Sequence, residues 1–255
     1  GSGGTLTSTT AFDMQAGSVS AILGGTAGLN KTTAGTVTLS GANTYTGLTT
    51  ISAGTLKLGA AGDATNTPLG TTGAGTTVSA TGAALDLNGF TLGTAEALTL
   101  NGTGVSSGGA LTNSSATAAT YSGLLTLGSA SSIVASSGNI VLSNAGTITG
   151  ATFGLTLDGT SSASSLASII GTTSGTVTKA GTGTWTLSGA STYTGLTTIS
   201  AGTLVAANAA ALGSTAGNTL VANAATLEIA NVAIGSEADV MASDRMGASA
   251  GLTLL

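Results

Sequence analysis

Apolar and polar residues alternate along this chain in short bursts, at 36–39, 55–58, 84–87, 97–100, 125–127, 155–157, 185–187, 227–229 and 252–254. A period of two is the signature of a β-strand with one dry and one wet face, because successive side chains point to opposite sides. Leu, Ile and Val are thereby assigned to a core, and Thr, Lys57, Asp86 and Glu228 to the outer face. Gly41, Gly47, Gly54, Asn88-Gly89, Asn101-Gly102 and Asp158-Gly159 fall between the bursts and predict corners. Asn-Gly between alternating runs is also a hairpin signal, so an antiparallel sandwich competes with a coil of parallel strands.

An internal repeat decides between them. Residues 38–56 read TLSGANTYTGLTTISAGTL and residues 186–204 read TLSGASTYTGLTTISAGTL, which differ only at Asn43 against Ser191. Extended outward, the match pairs Lys31 with Lys179 and Gly35 with Gly183, giving near-identical segments at 31–58 and 179–206, 148 residues apart. Fixed-period self-similarity of this kind marks units that stack on copies of themselves. Dividing 148 by seven gives about 21 residues per unit, the size of one coil of a parallel β-helix with three short strands. The expectation is an all-β chain, a single β-solenoid domain over residues 1–255 with about twelve coils. A lone coil buries too little to offset its ordering entropy, so each is held by its neighbours. Two stretches leave the pattern: 205–212 (VAANAAAL) reads as a helical turn or a small-residue loop. Ser236 and Asp239 resemble a capping box opening a short helix, within a segment 236–255 that caps or ends the rod.

Composition then removes most chemistry. The 255 residues include 42 Gly, 1 Pro, 4 Lys+Arg and 9 Asp+Glu, no Cys and no His. Triads built on His or Cys and imidazole or thiolate metal sites are therefore impossible. A net charge of −5 with so few cations leaves nothing to neutralise a phosphate backbone, so nucleic acid is not an expected partner. At 41% hydrophobic and 5% charged the chain lies outside the composition of disordered segments. No apolar run approaches the roughly eighteen residues of a membrane helix, and 3% aromatics cannot girdle a lipid-embedded barrel, so no membrane insertion is expected. The start at Gly1 carries no signal-like segment, which is read as a removed or absent export signal.

The remaining candidates each have a bland alternative. Asp86 and Glu228 could serve acid–base chemistry on polysaccharide, but each is expected as an isolated solvated strand residue, and no catalytic residue is assigned. Glu237, Asp239 and Asp244 could bind Ca²⁺ weakly, yet no calcium-loop motif surrounds them, and neither a metal site nor a cofactor is assigned. Lys31 and Lys179 recur at matched places, which suggests a shared structural task at a coil corner. Tyr45, Tyr193 and Trp185 could stack on sugars but are expected to pack, since Trp185 stands where the other copy has inward Val37. Thr5/Thr7, Thr36/Thr38, Thr147/Thr149 and Thr184/Thr186 invite an ice-binding reading, against ordinary β-propensity and no fixed spacing between the pairs.

The stretch Lys179-Ala180-Gly181-Thr182-Gly183-Thr184-Trp185-Thr186-Leu187-Ser188-Gly189, continuing through Tyr193-Thr194-Gly195 to Ala201-Gly202-Thr203-Leu204, resembles the passenger-associated β-strand repeat of bacterial autotransporters. The copy from Lys31 to Leu58 departs from it at Thr32-Thr33 and Val37. The resemblance implies a right-handed parallel β-helix, exported across a Gram-negative envelope, displayed or released outside, and often adhesive or aggregating. The family's translocator barrel is not expected here, because the terminal Gly251-Leu252-Thr253-Leu254-Leu255 does not look like its closing strand. The functional expectation is a non-enzymatic extracellular structural or adhesive solenoid, either a fibre subunit or an adhesin passenger. Its expected partners are copies of itself, end to end or side by side, and surface glycans or neighbouring cells. A polysaccharide-active β-helix enzyme and a Thr-array ice binder are the alternatives.

Overall fold

The computed structural model describes residues 4–92, 94, 96–230, 232, 240–242 and 251–254. It is a β-solenoid of about 10 turns with roughly 22 residues per turn, about 1% of it helical. Face I stacks Phe12–Met14, Leu29–Lys31, Thr49–Ile51, Thr76–Val78, Leu98–Gly102 and the start of the long strand Leu125–Ala135, all in parallel. Face II runs from Gly17–Val19 through Thr36–Leu39, Gly54–Leu58, Ala83–Asp86 and Leu111–Thr112 to the end of that same long strand. It goes on through Leu155–Gly159, Val177–Lys179, Thr197–Ile199 and Thr219–Val221 to Val240–Ala242. Face III stacks Ala119–Tyr121, Ile140–Leu142, Ser164–Leu166, Thr184–Leu187, Thr203–Ala206, Thr226–Ile229 and Gly251–Leu254. Leu125–Ala135 thus rounds a corner, pairing Leu125 with Leu98 on face I and Ile133 with Leu111 on face II.

Period-two patterning builds the core directly. On face II the inward residues Val37, Leu56, Leu85, Leu111, Ile133, Leu157, Lys179, Ile199 and Val221 fall in one register column, all buried. Hydroxyls enter the core where a turn needs a donor inside: Tyr45 donates to Thr49 Oγ1 at 2.6 Å while Thr49 donates to the Leu69 carbonyl at 2.8 Å, and Tyr193 pairs with Thr197 at 2.6 Å. At the corner entering Gly54–Leu58, Gly54 adopts φ +67°, and a Cβ there would strike the Gly35 carbonyl oxygen of the preceding turn, so only glycine fits.

Every strand anticipated from alternation is present, and the parallel ladders exclude the antiparallel sandwich. Two expectations need correction, and the choice left open at 205–212 falls to the loop. The turn count is about ten, because the repeat spacing is not a whole number of turns. Stepping up face II from Val37 through Leu56, Leu85, Leu111, Ile133 and Leu157 reaches Lys179 after six turns, so Lys179 stands over Val37 and not over Lys31. The 148-residue offset is therefore six turns plus one face: Leu29, Val37 and Tyr45 lie on faces I, II and III, whereas their counterparts Val177, Trp185 and Tyr193 lie on faces II, III and I. Residues 205–212 form no helix: Val205 and Ala206 complete a strand, and the chain then turns with Asn208 Oδ1 accepting from the Ala210 amide at 3.0 Å. Val240–Ala242 pairs with Thr219–Val221 as a strand, where the capped helix was expected. The cap itself, Ser236 with Asp239, lies outside the described residues.

Turn length varies by insertion. Val37 and Leu56 are 19 residues apart in register, Leu56 and Leu85 are 29. Part of the surplus folds as a hairpin of Asn66–Thr67 on Gly70–Thr71, the one antiparallel pair among the described residues.

Candidate functional site

Three charge arrangements stand out among the described residues, two of them inside the rod, and the second of them occurs at two separate corners. On the outside of face II, Lys57 and Asp86 occupy successive turns at one register position, and Ser114 folds over them from the turn beyond. Asp86 is saturated. Its Oδ1 accepts from the amides of Asn88 at 2.9 Å and Ser114 at 3.0 Å, and its Oδ2 accepts from Ser114 Oγ at 2.6 Å with Lys57 Nζ at 3.5 Å. Lys57 Nζ also donates to Ser114 Oγ at 3.0 Å. Asp86 is therefore covered rather than solvated, a correction that arises because residues on neighbouring turns close over a nominally outward position. A serine flanked by an ammonium and a carboxylate that already has four donors has no free base to activate it. Glu228, half-buried, belongs to face III and pairs in register with Val205, well removed from Asp86 on face II.

The second place is the pair of lysines. Alternation puts Lys31 on the inward side with Leu29, and Lys179 with Val177, so each ammonium is carried into an aliphatic stack. It is satisfied there by backbone. Lys31 Nζ donates to the carbonyls of Thr33 and, at 3.0 Å, of Ala53 on the next turn. Lys179 Nζ donates to Ala180 at 2.5 Å, Gly181 at 2.9 Å and, again on the next turn, Ala201 at 3.1 Å. Burial lowers the pKa of both, to about 8 for Lys179, with Asp13 and Asp158 respectively opposing the shift. The shared task at a corner is thus a clamp made by the charged end of the side chain.

The third was not singled out from sequence. Glu96 is fully buried, its Oε1 accepting from Thr76 Oγ1 at 2.6 Å and its Oε2 from Thr67 Oγ1 at 3.3 Å, and Tyr121 donates to its backbone carbonyl at 2.9 Å. Burial outweighs the two hydroxyl bonds and pushes its carboxyl up to about 7. Its sequence signal was parity: Glu96 shares the inward phase of Leu98 and Leu100.

Tyr45, Tyr193 and Trp185 are buried packing residues, and Trp185 Nε1 donates to the Asp158 carbonyl at 3.1 Å. Glu237, Asp239 and Asp244 lie outside the described residues, and among the described residues no three acidic side chains gather. Among those residues, too, no helix is long and apolar enough to cross a membrane. The anticipated Thr-x-Thr pairs scatter over different faces, but a single outward threonine does recur at one register on face I, at Thr50, Thr77, Thr99, Thr126 and Thr149. The row on one side of it reads Leu48, Gly75, Ala97 and Leu124, with Gly75 buried, so on that side no second line of threonines extends the file into a lattice. Leu48, Leu124 and Leu196, each following a glycine at a corner, remain 44%, 38% and 40% exposed.

Residues 29–58 and 177–206 each match the family model of the passenger-associated-transport-repeat. No curated protein and no solved structure matches the chain. That repeat family suggests a non-enzymatic structural passenger and implies secretion or surface display in Gram-negative bacteria. With two such repeats wound into its parallel coils, the chain is a β-solenoid repeat protein consistent with an autotransporter passenger β-helix.

Proposed function

We propose that this chain is a non-enzymatic, extracellular structural or adhesive rod that associates with further copies of itself, as the subunit of a surface fibre or as an adhesin passenger. The observation that carries the reading is the outer surface. Of the three lysines among the described residues, two are drawn into the core and the third, Lys57, is paired with Asp86, so the faces present hydroxyls, small residues and the corner leucines with little charge to keep copies apart. The occupant of those corners is a second copy, whose own corners offer the same apolar and hydroxyl chemistry. Absence of His and Cys, with Asp86 consumed by four donors, supports a scaffold over a polysaccharide-active enzyme. Negative-stain microscopy with sedimentation of the purified chain tests it. Regular filaments or bundles favour a fibre, single rods that bind glycans or cells favour an adhesin, and single rods that bind neither refute both.

A further inference from the structure

The long turn that carries the hairpin 66–71 has a polar fastening inside the core. Thr67 Oγ1 accepts from the Leu69 amide at 3.0 Å and has one proton to give, with two acceptors at nearly equal distance: Glu96 Oε2 at 3.3 Å and the Gly70 carbonyl at 3.4 Å. The first is on the following turn, the second within the hairpin itself. On its other oxygen Glu96 holds Thr76, in the strand that follows the hairpin. Among the described residues no cation balances this carboxyl. The groups packed around it are the hydroxyls of Thr67 and Thr76, with Tyr45 from an earlier turn and Tyr121 from a later one, each phenol pushed up by burial and by Glu96 itself. The Lys31 ammonium is engaged by the Thr33 and Ala53 carbonyls, and Lys57 by Asp86.

We propose that Glu96 is a proton-operated latch on the hairpin 66–71. With a proton taken from solvent, Glu96 donates to Thr67 Oγ1, and Thr67 turns its own proton to the Gly70 carbonyl, closing the hairpin. Ionised, the carboxylate draws the Thr67 proton to itself, and the Gly70 carbonyl loses its donor. No heavy atom needs to move in either direction, because Thr67 Oγ1 already lies within reach of both other oxygens. The carboxyl's upward displacement places the exchange near neutral pH. An acidic medium locks the excursion down, and a mildly alkaline one leaves a buried charge beneath it and loosens it.

Hydrogen exchange read by mass spectrometry on peptides covering 63–78 tests this from pH 5 to pH 9, after correction for intrinsic rates. Protection should fall on the order of a hundredfold across that range, following the displacement of the carboxyl from 4.5 to about 7. In Glu96→Gln the amide donates to Thr67 at every pH, so its profile should be flat. Constant protection in the unaltered protein, or the same decline in Glu96→Gln, overturns the latch. Carboxyl ¹³C NMR of the unaltered protein is independent of how the variant folds. One of its three glutamates should titrate near 7, and ordinary titration of all three refutes the proposal.

Discussion

Replacing Lys31 or Lys179 by Met keeps the buried stem and removes the ammonium, which isolates what the clamp contributes. In Lys31→Met two corner carbonyls, of Thr33 and Ala53, lose their donor, and in Lys179→Met three do, of Ala180, Gly181 and Ala201. A buried acceptor left unpaired costs roughly 1–3 kcal/mol, so the gross losses are about 2–6 and 3–9 kcal/mol. Part is returned, because burial disfavours the charged form at both sites. The net expectation is a destabilisation of about 2–4 kcal/mol, larger for Lys179→Met, measured by urea unfolding. The pH dependence has a definite sign. Because Lys179 in the fold is lowered to about 8, the unfolded chain holds more protons between there and 10.5, and stability should rise with pH through that window. That rise should be missing in Lys179→Met, whose deficit relative to the unaltered protein therefore widens above pH 8. Two substitutions that cost nothing would refute the clamp, and a deficit that narrows above pH 8 would refute the lowering of Lys179 by burial.

Further outcomes follow from the same geometry. Gly202→Ala, at φ +65° and with its Cβ driven into the Gly183 carbonyl, should cost more than about 2 kcal/mol, whereas Gly73→Ala, with open space around it, should be neutral in the same urea series. Trp185→Val, the residue that stands at this place in the other repeat, should lose about 2–4 kcal/mol through the cavity and the undonated Asp158 carbonyl. A loss below 0.5 kcal/mol, on the order of an ordinary surface change, would mean the neighbouring turns collapse onto the smaller side chain. Asp86→Ala should lower stability by about 1–3 kcal/mol with no effect on any polysaccharide. Turnover in the unaltered protein that vanished in this variant would make Asp86 catalytic.

Strands and corners were legible because they depend on parity and on residues tolerant of unusual φ, both local properties. The inward lysines were equally legible in principle, since Leu29 and Lys31 share a phase, as do Val177 and Lys179. What hid them is the ordinary rule that a lysine goes outside, which backbone carbonyls at a tight corner override. Glu96 was hidden in the same way, its phase set by Leu98 while its type suggests water. Asp86 failed in the opposite direction: its phase is outward, and only the turns on either side, with Lys57 and Ser114, cover it. The hairpin 66–71 has no period to reveal it. Turn number was lost because a sequence offset counts residues, while the fold can absorb a fraction of a turn between two copies.

That fraction bears on how rods would meet. The contacts that make the repeat work are within it or with the next turn: Tyr45 to Thr49 and Tyr193 to Thr197, Lys31 to Ala53 and Lys179 to Ala201. None depends on which face is involved, so the unit can be rotated by one face and still lock. Its outward leucine rotates with it, placing Leu48 where the chain enters face I and Leu196 where it enters face II. If copies associate through these corners, each rod has points of attachment on two sides, Leu48 with Leu124 at the entry to face I and Leu196 at the entry to face II, and Leu48→Lys/Leu124→Lys or Leu196→Lys should each reduce bundles to pairs while the triple substitution gives single rods. If copies instead meet across the threonine file of face I, Leu196→Lys should change nothing, whereas Leu48→Lys/Leu124→Lys, on the adjoining row, should act by itself. Sedimentation of these variants separates the two modes, and bundles that survive in the triple variant would exclude the leucine corners.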